Sequence, residues 1–547
     1  MKRKLYLETF GCQMNVLDSE LVLSQLRAQG YESTDDRDTA DVVIFNTCSV
    51  REHAEQKVWS RLGELRETKA ERPDLVIGVI GCMAEREGES IFGRFPHIDI
   101  LCGPGELDKL PAMVHNACIT APPSLGTPGK GRGEDSYETV TSFDSLYVGE
   151  VDDSRDVPIE VVHKNPHPGP PPEYRERMGK HIALMGNTTR RSSTYETAKE
   201  DNLESLDLSR TVSPGDDVRQ AYVRITRGCN KFCAYCVVPF TRGPEVHRPP
   251  GNIVDEVKML VDAGVLEVTL LGQTINHYLF DHGGGRKTTF ADLLYQIHES
   301  VPDLPRLRFV TSFPRDFTDA ALQAMRDCSR ICRYLHVPAQ SGSDRILKAM
   351  NRGYTAQQYL DFIDRARGYM PDVSLASDFI VGYPTETDDD FAKTVELVKY
   401  CRFKNSFVFK YSPRPGTVAI DRFEDDVPED VKRIRNNQLL AVQGEICADN
   451  NRQMVGKTVD VMVEGESKLV SKRAYPSSKV TLGWESRQGQ FIDPAPTKTQ
   501  LVGRTRGDQV VCFDGELQLK GSILNVEIVD AKNLTLFGKV VESTVII

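Results

Sequence analysis

Two uninterrupted apolar runs, "DVVIFNTC" (41–48) and "DLVIGVIGC" (74–82), constrain this 547-residue chain more than any other feature. Strands that are apolar throughout, without alternation, belong to parallel sheets covered by helices on both faces. The intervening "REHAEQKVWSRLGELRE" and the following "AEREGESIFGRF" read as those helices. "KLYLETF" (4–10) reads as a further strand, and a helix is expected from about Asp18 to Gln29, with Asp18 as N-cap and Gly30 as its stop. Cys12, Cys48 and Cys82 then fall just past the C-terminal ends of three strands. Open parallel sheets bind ligands at that edge. One free cysteine is ordinarily a small buried hydrophobe. Three at equivalent positions, in "FGCQMN", "FNTCSV" and "VIGCMA", predict a shared site.

The strand–helix rhythm resumes after Val218 with "QAYVRIT", "EVTLLG", "RLRFVTS", "YLHVPA", "SLASDFIVGY" and "SFVFKYSP". Six such units fall short of the eight that close a barrel, so a partial, open (β/α)6 barrel is expected. Beyond it come short strands broken by turn signals, as in a small antiparallel β-barrel. The fold class is therefore multidomain α/β. It comprises an N-terminal parallel α/β domain (1–118), a partial barrel (216–450) and a C-terminal antiparallel barrel (452–543). Residues 119–215 are Pro/Gly-rich and charged, and 120–217 carry −7 of the net charge of −11. They read as an acidic, largely disordered insertion, in which "SLYVGEV" and "IEVVH" are candidate local strands.

Overall acidity does not exclude a nucleic-acid partner, because charge is unevenly spread. Lys468, Lys472, Arg473, Lys479, Arg487, Lys498, Arg504 and Arg506 occupy one C-terminal stretch with only Glu485 and Asp493 against them. No apolar run approaches the roughly 18–20 residues that span a bilayer, and "MKRKLYLETFGC" has no apolar signal segment. A cytoplasmic chain without membrane partners is expected. In that compartment thirteen cysteines point to metal sites, catalysis or packing before disulfides.

The sharpest motif is "GCNKFCAYC", which sets Cys229, Cys233 and Cys236 at C-x3-C-x2-C spacing after the first barrel strand. A zinc ribbon would show a second paired arm, and the nearest candidates, Cys328 and Cys332, share one predicted helix and read as packing residues. A cluster held by three thiolates leaves one iron open, as a catalytic metal site requires.

At these residues the chain resembles the radical S-adenosylmethionine enzymes, with Tyr235 matching an aromatic residue common before the last cysteine. It is further similar to their methylthiotransferase branch, which joins a three-cysteine domain, a radical barrel and a small RNA-binding barrel called TRAM. "ETFGCQMNVLDSE", "GCNKFCAYCVVPFTRGPEVHRP", "HVPAQSGSDRILKAMNRGYT", "DFIVGYPTET" and "FKYSPRPGT" resemble the members that act on N6-dimethylallyladenosine of tRNA; "LLGQTINHY" departs at Thr274, where Asn is usual. The resemblance implies two 4Fe–4S clusters, one on Cys229, Cys233 and Cys236 with S-adenosylmethionine, the other, auxiliary, on Cys12, Cys48 and Cys82. It implies methylthiolation of C2 at position 37, beside the anticodon, with one S-adenosylmethionine as methyl donor and one as radical source. Cys102, which ends the strand-like "HIDILC", is a possible fourth auxiliary ligand, although four thiolates would block sulfur delivery.

Polar residues at strand ends either cap loops or meet the cofactor. By that criterion Gln273, Asn276, Thr311, Ser312, Gln340 and Ser341, with Tyr235, are candidate S-adenosylmethionine contacts. Arg345, Arg352, Tyr411, Arg414, Lys472, Arg473, Arg504 and Arg506 are candidate contacts to a tRNA anticodon stem-loop. His336 reads as a packed strand histidine. The implied partners are that tRNA and an electron donor such as flavodoxin or ferredoxin, and a monomer is expected. Three readings compete. The others are the same chemistry on threonylcarbamoyl-adenosine or on an aspartate of a ribosomal protein, and a non-catalytic iron–sulfur carrier or RNA-binding module.

Overall fold

The computed structural model describes residues 2–49, 52–120, 181–184, 203–211, 218–467 and 498–545. Six parallel strands form the N-terminal sheet, in the order β2 (Glu32–Ser33), β1 (Lys4–Phe10), β3 (Val42–Thr47), β4 (Val76–Gly81), β5 (Ile100–Cys102) and β6 (Ile182–Leu184). β3 and β4 are buried along their whole length, as their unbroken apolar sequence requires. The register pairs Phe10 with Thr47 and Thr47 with Gly81. Cys12, Cys48 and Cys82 therefore emerge side by side at one sheet edge.

Two expectations change here. The first helix runs Gln13–Ala28, so Asp18 lies inside it and is fully buried rather than capping its start. Within the supposed insertion, Ile182–Leu184 joins the sheet against β5, and a helix at Leu203–Leu208 packs into the molecule with Leu206 and Asp207 buried. "SLYVGEV" and "IEVVH" lie outside the described residues.

The partial barrel has six parallel strands in chain order. β7 (Gln220–Arg224), β10 (Glu267–Leu271) and β13 (Arg306–Phe309) form one sheet; β14 (Tyr334–His336), β15 (Ser374–Val381) and β16 (Asn405–Lys410) form the other. A parallel bridge between Leu307 and Ile331 joins them. Two ribbons accompany the strands: β8 (Thr226–Arg227) with β9 (Val246–His247), and β11 (Leu279–Asp281) with β12 (Lys287–Thr289). Outward residues such as Val223, Val268, Leu270, Leu307, Leu335, Phe379 and Val381 form the core under the surrounding helices.

The C-terminal strands β17 (Thr458–Glu466), β18 (Lys498–Thr505), β19 (Val510–Glu516), β20 (Ile523–Lys532) and β21 (Thr535–Val545) close into a barrel. Its β18–β19 turn seats in the lower end of the partial barrel. There Arg306 donates to the carbonyls of Arg504 (3.0 Å) and Asp460 (2.9 Å), and Arg308 to those of Arg506 (3.1 Å) and Thr505 (2.5 Å). Lys404 pairs with Asp508. Arg306 is fully buried, so β17 and β18 of the small barrel supply it with carbonyl acceptors. No helix among the described residues is long and apolar enough to cross a membrane.

Candidate functional site

Side-chain amides fix the turn that carries Cys12. Asn15 donates to Asn46 Oδ1 (2.9 Å), and Asn46 donates back to the Asn15 carbonyl (2.9 Å) and to Ser19 Oγ (2.9 Å). The Cys48 amide bonds to the Phe10 carbonyl at 2.9 Å. The first-helix start is thereby held against the end of β3. Gly81 has φ +92°, and a Cβ there would lie 2.4 Å from Asn46 Oδ1, so only glycine lets the chain reach Cys82. The Cys12 thiol donates to Asn15 Oδ1 at 3.3 Å. Hydrogen bonding from Cys48 lowers its pKa to about 6, against burial and with help from the Arg242 charge. Burial raises that of Cys82.

Arg242 reaches this edge from the other domain. It lies six residues beyond Cys236, just after the short helix Val238–Thr241, and its Nε sits 3.2 Å from Cys82 Sγ. Its other arm donates to Asp18 at 2.8 Å, and Asp18 also accepts from Arg224 at 2.8 Å. Arg224 is held further by Asp207 (2.6 Å), and Arg248 by Glu204 (2.8 Å) and Glu256 (2.7 Å). Buried charges persist only when paired in this way.

Cys229, Cys233 and Cys236 occupy the loop after β8. The loop is closed by the Cys229 amide on the Gly243 carbonyl (3.1 Å) and the Ala234 amide on that of Met350 (2.9 Å). Burial pushes Cys229 up to about 12; burial and the charges of Cys233 and Cys229 raise Cys236. The three sulfurs share this one short, largely buried loop. Arg352 donates to Cys233 Sγ at 3.2 Å and to the Tyr235 hydroxyl at 3.4 Å, with its guanidinium 4.5 Å above the Phe313 ring. Each cysteine trio thus has one buried guanidinium on one sulfur.

Both trios also border polar atoms without a partner among the described residues. Thr47 Oγ1 and Ser49 Oγ flank Cys48; Thr226 Oγ1 and Ser312 Oγ lie at strand ends beside the second loop. Buried native polar atoms are rarely left unbonded. Their presence, beside three cysteine sulfurs in each place, fits a polar metal cluster there. Cys102 does not join the first trio. Its thiol is turned to the carbonyls of Glu106 (3.3 Å) and Gly103 (3.6 Å).

A family model described as Uncharacterized protein family UPF0004 matches residues 4–103, and one described as Radical SAM superfamily matches 223–398. The tRNA-2-methylthio-N(6)-dimethylallyladenosine synthase of Rhodopirellula baltica is 39% identical over 99% of this chain and 96% of its own. The chain belongs to this synthase family. The Porphyromonas gingivalis synthase is 37% identical over 99% of the chain and 96% of its own. A radical S-adenosylmethionine methyltransferase from Kitasatospora setae superposes with a TM-score of 0.45 at 15% identity, covering 77% of this chain and 74% of its own.

In this synthase-family chain several expected contacts are engaged elsewhere. Asn276 staples its loop to the next, donating to the Phe313 carbonyl and accepting from the Phe313 amide, both at 2.8 Å. Ser341 Oγ accepts from the Ser343 amide (3.2 Å) and meets Thr394 Oγ1 of the helix Asp388–Cys401 at 3.3 Å. Thr311 and Gln340 both have φ +70°, an unusual backbone for side-chain-bearing residues, costing on the order of 1–3 kcal/mol. Thr311 is held there by the Ile275 amide on its carbonyl (3.1 Å). Tyr235 lies within the cysteine loop, its hydroxyl accepting from Arg352, and Ser312 Oγ has no partner among the described residues.

The RNA set changes more. Arg352 is buried at the second cysteine loop, and Tyr411 is buried edge-on to Tyr383 at 5.1 Å. Neither side chain is exposed. Arg345 is drawn onto the Thr385 loop and Asp390. Arg414 points to Glu55 of the N-terminal domain at 3.4 Å. Arg506 binds Asp460 (2.8 Å) and the Ser329 and Pro305 carbonyls, under the partial barrel. Arg504 pairs with Glu464 and Asp508 but keeps 39% of its side chain exposed. Lys472 and Arg473 lie outside the described residues. The residues that sequence reasoning missed are Asp18, Arg242 and Glu55. Only Arg242 carried a signal, being a cation within the segment that follows the cysteine motif.

Proposed function

We propose that this chain methylthiolates C2 of N6-dimethylallyladenosine at position 37 of tRNA, and that its two cysteine trios act in one cavity. The observation that carries this reading is Arg242. A residue of the radical-site segment donates to a sulfur of the other trio, so the two sites face each other across one domain junction. Cys229, Cys233 and Cys236 would hold one 4Fe–4S cluster, and Cys12, Cys48 and Cys82 the other. When bound, these groups and S-adenosylmethionine supply the radical that removes hydrogen from C2 and the sulfur that replaces it.

The residues of the chain position and enclose. Tyr235, Gln273 and Ser312 would meet S-adenosylmethionine. Register places Asp378 opposite Phe407 on the inner face of β15 and β16, with Phe409 on the same face. Phe407 and Phe409 are 46% and 40% exposed, and His336 binds Asp378 at 3.0 Å beside the Phe407 ring. Exposed aromatics on the concave face suit stacking of a base drawn out of an anticodon loop. Arg504 and the basic β17–β18 region would meet the RNA backbone. A donor such as flavodoxin or ferredoxin, monomeric action and a cytoplasmic location belong to this reading.

Nucleoside mass spectrometry of tRNA from cells with and without the gene tests it. Loss of the 2-methylthio derivative, with N6-dimethylallyladenosine accumulating, is expected. Persistence of the derivative would refute the assignment, and loss of a threonylcarbamoyl derivative instead would move the substrate.

A further inference from the structure

Outside both cysteine trios, three metal-ligating side chains converge on the flank of the partial barrel. His247 lies on β9, which returns from the cysteine loop, and Glu245 immediately precedes that strand, two residues from His247. Extended chain puts alternate side chains on one face. His277 comes from the turn Ile275–His277 that follows β10. One ligand atom from each of the three lies within 4.8 Å of the other two.

Glu245 is a buried carboxylate whose charge leans on imidazoles. Its side chain is 2% exposed, yet no lysine or arginine pairs with it among the described residues. Oε1 accepts from Thr274 Oγ1 at 2.8 Å, and Oε2 faces His277 Nδ1 at 2.7 Å. The nearby Lys231 is taken by Asp316 at 2.5 Å. Burying a carboxylate without a full counter-charge is expensive. His247 stands beside it with a buried Nδ1 that bonds to nothing among the described residues, its ring edge-on to Tyr278 at 5.5 Å. An unbonded imidazole nitrogen, a second imidazole and a buried carboxylate form the donor set of a three-ligand zinc site. His277 is 45% exposed, which leaves an entry path and room for water as fourth ligand.

We propose that Glu245, His247 and His277 bind one divalent ion of zinc type, distinct from the two iron–sulfur sites. Zinc binds nitrogen at about 2.0–2.1 Å, so tetrahedral ligand atoms stand about 3.3 Å apart. The ligand atoms lie within 4.8 Å of one another, so binding would draw them closer by up to about 1.5 Å. The ion would tie the strand leaving the cysteine loop to the loop that carries Gln273. That role differs from the trios: it holds two loops in register and leaves electron transfer to the clusters.

The test uses full-length, cluster-loaded protein titrated with Zn²⁺ against a chromogenic chelator, followed by zinc K-edge absorption. One equivalent with nitrogen and oxygen neighbours and no sulfur is expected. His247→Phe keeps the aromatic contact with Tyr278 and removes no hydrogen bond, so it should fold with unchanged iron content. It should weaken zinc by roughly tenfold or more. His277→Ala should do the same and abolish any zinc-dependent rise in Tm. Zinc bound through sulfur, no zinc beyond that displaced from the cysteine trios, or equal affinity in His247→Phe would each overturn the proposal.

Discussion

Asp18→Asn is the substitution on which the geometry makes its sharpest demand. Asp18 is fully buried and accepts from Arg224 and Arg242, each at 2.8 Å. Neutralising it does not strand the two guanidiniums equally. Arg224 keeps Asp207 at 2.6 Å, whereas Arg242 keeps Cys82 Sγ. Breaking a buried pair from one side costs about 3–5 kcal/mol, because the remaining charge stays desolvated. That is a factor of roughly 100 to 4,000 in the unfolding equilibrium of the N-terminal domain. Arg242→Leu is milder, since Asp18 still has Arg224. It removes the charge-assisted hydrogen bond to Asp18, worth about 1.5–3 kcal/mol, and the weaker contact to Cys82 Sγ. Urea unfolding followed by Trp59 fluorescence, in a Trp484→Phe background, reports the N-terminal domain alone. Asp18→Asn should therefore be the more damaging of the two. Both should also cleave S-adenosylmethionine with reduced methylthio transfer, because the junction that joins the trios is loosened. If Arg242→Leu destabilises as much as Asp18→Asn, Asp18 is not the anchor of that guanidinium and the reasoning fails.

Other outcomes follow from the same contacts. In cluster-free protein Cys12 should be alkylated with a pH midpoint near 6, against about 8.5 for an ordinary thiol. Its folded pKa is depressed, so its contribution to stability is complete above the unfolded value and is lost as pH falls toward 6; a midpoint near 8.5 would show that Cys48 does not stabilise the thiolate. Phe409→Ala should weaken tRNA binding by about 1–3 kcal/mol while S-adenosylmethionine cleavage without tRNA is unchanged, a difference that filter binding and a 5′-deoxyadenosine assay would register. Arg506→Ala should lower Tm and leave the salt dependence of tRNA binding untouched, because its partners are Asp460 and barrel carbonyls; a shallower salt slope would return it to the RNA surface. Cys102→Ala should retain two clusters per chain by iron analysis, since its thiol faces the Glu106 carbonyl.

Deleting the chain from about residue 452 looks from sequence like a clean removal of RNA binding. The structure makes it a poor experiment, because Arg306, Arg308 and Lys404 would lose their acceptors in the small barrel. Substitutions on the exposed face of the small barrel separate the two effects.

Sequence alone determined the parallel sheets, the six barrel strands and the two cysteine trios. Continuous apolar runs and cysteine placement at strand ends are local patterns, and register carries them directly into space. It did not anticipate where several charges find their partners. Asp18 has the composition of an N-cap, but the helix starts at Gln13 and the carboxylate is spent on arginines more than two hundred residues away. Arg352 and Arg506 have the composition of phosphate ligands, but one serves a cysteine sulfur and the other a domain seam. Periodicity records which face of an element is apolar and says nothing of which distant partner meets a buried charge. Only the tertiary structure decided those pairings, because a desolvated charge is stable solely where the folded chain brings its counterpart.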